Sequence, residues 1–374
     1  MNPKRLSRCS AAALPAIFCL CCLVSSAQTL KSGWTPLFNS RDLSGWDTYL
    51  RAPEGSADTT AIGFNKDPHH VFTISDGCIH ISGQDWGAII SKQEYSNYHI
   101  RFDVKFGEKK WPPRENLLRD GGLMFHSSGP QDYGYHCWMR SNEMQIQETE
   151  IGDFFNAGEG TCEFRVSPTT VKGEETDSEV VEQYDPNGII KRYNDRVYRS
   201  GNFERPHGEW TTGELVARGA DAVFIVNGFV VNRLYNTYRE DLDQQTTSGK
   251  LQFQSESSEY FLRNIEIRPI DYRWRGRPRL VAKTQQYTLH AGQEQRITIT
   301  NQGEPVELIA VELIGKEIEK LTMKLPAFPT IVPKGATVTL PVSLKPGMSL
   351  GAPVKLRLET VLGPVPGCEV LLMP

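Results

Sequence analysis

The stretch "YHIRFDVKFG", Tyr98 to Gly107, decides the fold class. Ile100, Phe102, Val104 and Phe106 alternate with Arg101, Asp103 and Lys105. An extended chain points successive side chains to opposite faces, so this period of two predicts a strand with one face in a core. On both sides of it lie similar runs, among them "HVFTISDGCIHIS", "GAIISK", "DGGLMFHSS", "GKLQFQSES" and "YFLRNIEIRPI". They are short, rich in β-branched and aromatic residues, and separated by Gly, Asn, Asp and Pro; helix signals are scarce. "FIVNGFVV" places Asn227-Gly228 between two apolar runs, a strong two-residue hairpin signal. Trp34 to Pro269 therefore predicts an all-β sandwich or jelly roll.

Beyond it, Asp271 to Arg279, "DYRWRGRPR", is a basic, proline-containing break. Further short strands follow, "QRITITNQGEPVELIAVELIG", "TVTLPVSLKP" and "PVKLRLETVLG", which fit a small immunoglobulin-like β-sandwich. At the other end Lys4, Arg5 and Arg8 precede an apolar run, and "VSSAQ" offers small residues for cleavage after Ala27, the pattern of a secretory signal. The run is too short for a membrane span, which takes roughly 20 apolar residues. The expected organisation is a signal over residues 1–27, a jelly roll over 28–270, a linker over 271–279 and a second sandwich over 280–374, in a soluble periplasmic or secreted protein. The segment Arg165 to Arg205, with its "VKGEETDSEVVEQYDPNG", predicts an exposed excursion between strands.

Loss of residues 1–27 takes the formal charge from −4 to −7, which argues against nucleic acid as a partner. Cys78, Cys137, Cys162 and Cys368 remain, with no CxxC or Cys/His cluster for zinc; buried thiols or a disulfide are the expected uses. No G-x-S-x-G elbow, phosphate loop, dinucleotide fingerprint or H-E-x-x-H is present, so serine-hydrolase, NTPase, dehydrogenase and zincin functions are unsupported.

The densest acidic stretch is "NEMQIQETEIGDF", Asn142 to Phe154, with Glu143, Glu148, Glu150 and Asp153. With "YGYHCWMRS" before it, a turn at Ser141-Asn142 would set Arg140 opposite Glu143 and Trp138 opposite Gln145. One face of that hairpin would carry His136, Trp138, Arg140, Glu143, Gln145 and Gln147, the other Cys137, Met139, Met144 and Ile146. The polar face has what carbohydrate recognition needs: a flat apolar surface in Trp138 and directional donors and acceptors in Arg140, Glu143 and the glutamines.

These residues also carry a resemblance. "WTPLFNSRDLSGW", "DGGLMFHSSG" with "NEMQIQETEIGDF", "GEWTTGELVARGADAVFIVNGFVV" and "GKLQFQSESSEYFLRNIEIRPI" resemble, in consistent order over Trp34 to Pro269, the blocks of the 3-keto-disaccharide hydrolase family. The resemblance implies a concanavalin-like jelly roll that binds a carbohydrate substrate. It also implies cleavage of 3-keto-glycosides or disaccharides, by hydrolysis or by elimination and hydration through a C2 enolate. On that basis Glu143 or His126 is the expected base, and Glu148 or Asp153 the acid or metal ligand. Gln145 and Arg140 would hold sugar oxygens, Trp138 would stack, and a divalent ion, Ca²⁺ or Mn²⁺, would steady the enediolate. A non-catalytic, lectin-like carbohydrate-binding protein is the alternative, because jelly rolls host both.

Overall fold

In the computed structural model, which describes residues 33–158, 160–172, 178–272 and 278–374, the chain around Phe102 forms a central strand, Tyr98–Lys110. Ile100, Phe102 and Val104 are buried, as the alternation requires. This strand pairs antiparallel with Thr211–Arg218 on one side and Ser258–Pro269 on the other. Outward from these, Asp221–Val226 and Phe229–Arg239 extend one flank, and Cys78–Ile81 and Phe72–Ser75 the other.

Facing it is a seven-stranded sheet in the order Phe154–Ala157, Arg140–Gln145, Gly122–Ser128, Lys250–Ser255, Gly87–Ser91, Trp46–Leu50 and Gly63–Phe64. Leu123, Phe125, Met144 and Phe253 of this sheet, with Ile146 just past a strand end, meet Ile100, Phe102, Phe224 and Tyr260 of the other in one core. Phe102 and Phe253 meet edge to face at 5.3 Å, and Phe125 and Phe224 at 5.9 Å. Burying an aromatic side chain of this kind stabilises by about 1.5–3 kcal/mol. The result is the expected jelly-roll sandwich. Asn227 and Gly228, at φ +48° and +81°, make the hairpin turn between Val226 and Phe229, where a primed turn matches the strand twist.

The segment expected as an exposed excursion is a β-ribbon. Thr161–Val171 pairs with Phe229–Arg239, with Glu179–Tyr184 and with Ile189–Tyr193, extending the large sheet at its edge. Val180, Ile189 and Ile190 of the ribbon are exposed.

Residues 280–373 build a second sandwich with its own core. Gln295–Asn301 and Thr337–Leu344 lie in one sheet, Ala310–Ile314, Val354–Thr360 and Gly363–Met373 in the other. Ile297, Ile299, Leu340, Val342, Leu356 and Leu358 fill the space between. It docks on the outward face of the large sheet, where Val216, Val223, Ile225 and Val230 meet Ile309, Ala310 and Val361. Beside this apolar contact Arg233 pairs with Glu359 at 3.0 Å, while Glu312 takes the Tyr184 hydroxyl at 2.7 Å and the Arg357 guanidinium.

Among the described residues Cys78, Cys137, Cys162 and Cys368 are buried free thiols. No described helix is long and apolar enough to cross a membrane. The expected signal segment lies outside the described residues, as do residues 273–277 of the expected linker.

Candidate functional site

On the outward face of the seven-stranded sheet the register lines polar side chains up across strands that are far apart in sequence. Glu143 pairs with Met124, which pairs with Gln252, which pairs with Ile90. The next row runs from Gln145 through Gly122 to Gln254 and Ala88. The last holds Asp120 opposite Glu256. Side chains two apart on a strand share a face, so these rows converge.

Gly122 sits in the middle without a side chain. A Cβ there would run into Glu143 Oε1 and Gln254 Oε1, so the glycine is the notch over which the two side chains meet. We expect Gly122→Ala to lower kcat by about 10²-fold, since a displacement near 1 Å of a reacting group has that cost. Steady-state kinetics beside a circular-dichroism spectrum of the purified variant check this; a folded variant with unchanged kcat would remove Glu143 from the reaction.

Burial dominates the electrostatics of the group. Asp120 and Glu143 are 3% and 6% exposed. Loss of water pushes the Glu143 carboxyl up to about 8, helped by the charge of Asp120 and opposed by Gln254 and Arg196. Glu256 rises well above the usual range for the same reasons, burial first and Asp120 second, against the pull of Arg114. Arg114 binds Asp120 at 2.9 Å and lies 3.9 Å from Glu256. The site therefore holds two carboxyls, Glu143 and Glu256, that burial pushes up, beside Asp120 in the grip of the Arg114 guanidinium. Gln145 Oε1 is buried with no hydrogen-bond partner among the described residues, an acceptor open to a ligand hydroxyl.

One rim is aromatic. Trp86 stacks on Trp138 at 5.6 Å, and the Arg51 guanidinium covers the Trp86 ring at 4.2 Å. Tyr135 meets Trp138 edge to face at 5.6 Å and is 67% exposed.

The structure brings Glu143 and Gln145 together as expected and separates the other expected residues. No turn forms at Ser141-Asn142: Arg140–Gln145 is one strand, paired with Gly122–Ser128 and with Phe154–Ala157. Arg140 instead holds Asp241 at 2.7 Å and covers the Tyr133 ring, so it does not face Glu143. Trp138 is 2% exposed and donates its indole N–H to the Gly87 carbonyl; it supports Trp86 and Tyr135 rather than offering its own face. His126 sits in a bulge, at φ +52°, which turns its ring into the core against Tyr98 and Phe125. Burial there lowers its pKa to about 4, with the Thr246 backbone opposing. Glu148 lies past the strand end, between Arg119 at 2.9 Å and His207 at 2.7 Å. Asp153 is fully buried, gripped by Arg196 at 2.6 Å and Arg199 at 2.8 Å, and anchors the turn rather than a substrate. Glu150 pairs with Arg196 as well.

Sequence reasoning missed Asp120, Gln254, Glu256 and Arg114. The alternation within "GKLQFQSES" was the available signal, since it sets Gln252, Gln254 and Glu256 on one face.

A hard divalent ion would look to Asp120, Glu143 and Glu256 for oxygen donors. Asp120 is engaged by Arg114, and among the described residues no group of three His, Cys, Asp or Glu side chains is arranged to hold a metal.

Comparison with curated proteins gives no match. Among solved structures, the chain is similar to a "putative glycosyl hydrolase" from Parabacteroides distasonis at 17% identity and TM-score 0.38, over 64% of this chain and 100% of that one. It is similar to a carbohydrate-binding module from Bacillus subtilis at 13% identity and TM-score 0.28, over 60% and 95%. It is also similar to a non-specific endo-β-1,3(4)-glucanase at 10% identity and TM-score 0.35, over 65% and 93%. A family model, the 3-keto-alpha-glucoside-1,2-lyase-like domain, matches residues 33–268, and its glycoside-cleaving character makes the function of this protein carbohydrate-related. With the jelly roll complete over the matched residues, the chain belongs to the 3-keto-alpha-glucoside-1,2-lyase-like family.

Proposed function

We propose that the protein cleaves 3-keto-glycosides by elimination across C1 and C2. A ketone at C3 acidifies the C2 hydrogen because the electron pair left behind delocalises as an enolate. Asp120, steadied by Arg114, takes that proton. The enolate collapses to a C1–C2 double bond as the C1–O bond breaks, and Glu143 gives its proton to the departing oxygen. Water added across the double bond afterwards completes a net hydrolysis. Arg114 lies close enough to both Asp120 and Glu256 to stabilise charge developing on the sugar oxygens, and Gln145 accepts from a hydroxyl.

The observation that carries this reading is the geometry of the cluster: buried Glu143, its carboxyl pushed up to about 8 by loss of water, shares it with buried Asp120, which Arg114 grips at 2.9 Å. The test is an assay of the purified protein on a 3-keto-glucoside and on its unoxidised parent, with and without chelator. Cleavage of the keto compound alone, unaffected by chelator, is the expected result. Loss of cleavage with chelator would give the enolate to a metal. Binding of sugar without turnover would support the lectin-like reading, which the Trp86–Tyr135 rim favours.

A further inference from the structure

Where the second sandwich meets the jelly roll, a cleft of about 620 Å³ opens on the face of the large sheet away from the carboxylates. Its size falls within the roughly 300–1,000 Å³ typical of small-molecule sites, which favour such junctions. The walls are tied together. Phe229 pairs in parallel with Val311, and the Gly228 carbonyl accepts from the Val311 amide at 2.9 Å, so one sheet runs through both sandwiches. Leu325 and Phe328 close on the hairpin tip so tightly that a Cβ at Gly228 would meet the Leu325 side chain at 2.9 Å. Phe203 stacks on Phe229 at 4.2 Å, and its carbonyl accepts from the Asn227 side-chain amide at 2.7 Å.

The polar groups of the cleft divide by whether the protein already uses them. Glu214 is held by His99 Nε2 at 2.8 Å, and the Thr212 hydroxyl donates to Asp103 at 2.7 Å. Asn227 accepts from the Thr212 amide at 3.0 Å while it donates to Phe203. Two cations are left over. Arg205 is exposed, and its guanidinium has no hydrogen bond or ion pair among the described residues. Lys324 lies 3.7 Å from Glu294, with 78% of its side chain exposed. What the cleft offers a ligand is therefore phenylalanine surface and positive charge, in a chain whose formal charge is −4.

We infer that this cleft binds a small organic acid with an aromatic body. Its ring lies against Phe203, Phe229 and Phe328, and its carboxylate meets Arg205 and Lys324. Aromatic rings gain from edge-to-face or offset contact with one another, and a guanidinium can give a carboxylate two parallel hydrogen bonds. A neutral sugar would find its polar partners engaged, and an uncharged apolar body would leave the cations unused.

Calorimetry on the full chain with 2-naphthoate, uncharged 2-naphthalenemethanol and gluconate separates the body from the charge. 2-Naphthoate should bind more tightly than either comparator by about tenfold or more, the scale of one hydrogen bond to a charged group. Arg205→Gln should remove about that factor for 2-naphthoate and leave 2-naphthalenemethanol unchanged. Thr322→Trp, which fills the cleft from an exposed position, should abolish 2-naphthoate binding. Both substitutions are at exposed residues, and an unchanged melting temperature checks that each variant is folded. Equal binding of 2-naphthoate and 2-naphthalenemethanol, or tighter binding of gluconate, would overturn the inference. So would 2-naphthoate binding that survives Thr322→Trp or ignores Arg205→Gln, or its absence at millimolar concentration.

Discussion

Glu143→Gln should lower kcat on a 3-keto-glycoside by about 10²–10⁴-fold, the usual contribution of a positioned acid, while the melting temperature stays level or rises. The two effects separate because they come from different properties of one buried carboxyl. Its folded value, about 8, stands above the ordinary 4.5. Between those values the folded chain keeps a proton that the unfolded chain releases, so the folded state binds more protons and stability falls as pH rises through that window. A glutamine is neutral throughout and escapes this penalty, which is why the variant should not melt earlier. Catalysis follows the same proton in the opposite direction. The acid form is present below about 8 and lost above it, so kcat of the wild-type protein should fall as pH rises through that point. A pH–kcat profile checks it. Persistence of full activity in the variant, or a wild-type profile flat from pH 6 to 9, would take the acid role from Glu143.

Arg233→Ala should cost about 3–5 kcal/mol of stability, the typical effect of removing one partner from a buried ion pair. Arg233 reaches from the large sheet of the jelly roll to Glu359 at 3.0 Å and Glu312 at 4.0 Å in the second sandwich, and each glutamate side chain is 1% exposed. Without the guanidinium two carboxylates stay buried against an apolar seam. Urea unfolding followed by fluorescence measures the loss. The paired variant Arg233→Met with Glu359→Leu should recover most of it, because replacing both charges by apolar groups is often neutral. A loss below about 1 kcal/mol in the single variant would show that the apolar seam alone holds the sandwiches together. Since this interface covers the face of the sheet opposite the carboxylates, the folded fraction should keep its kcat.

Strand alternation made the architecture legible. Ile100, Phe102 and Val104 could be assigned to a core because a period of two is a property of one short segment, and Asn227-Gly228 announced its hairpin because positive φ at both positions is local chemistry. Ser141-Asn142 failed by the same kind of reasoning. The pair has modest turn preference, but Asn142 lies opposite Phe125 on one side and Asn156 on the other, and two neighbouring strands outweigh it. His126 failed because a single bulge moved it from the outward face to the core, and nothing local in "GLMFHSS" marks where the extra residue sits.

The sequence by itself determined that this is an all-β protein with a jelly roll, that Glu143 and Gln145 share a face, and which family the chain belongs to. Tertiary structure alone decided what Glu143 meets. Asp120, Gln254, Glu256 and Arg114 come from segments more than twenty or a hundred residues away, and strand register places them around the notch at Gly122. The same assembly removes water from Glu143 and pushes its carboxyl up, which is why we propose it as the acid where the sequence suggested a base. Residue type sets which charges a chain can carry; burial and neighbours, which exist only after folding, set which of them hold a proton.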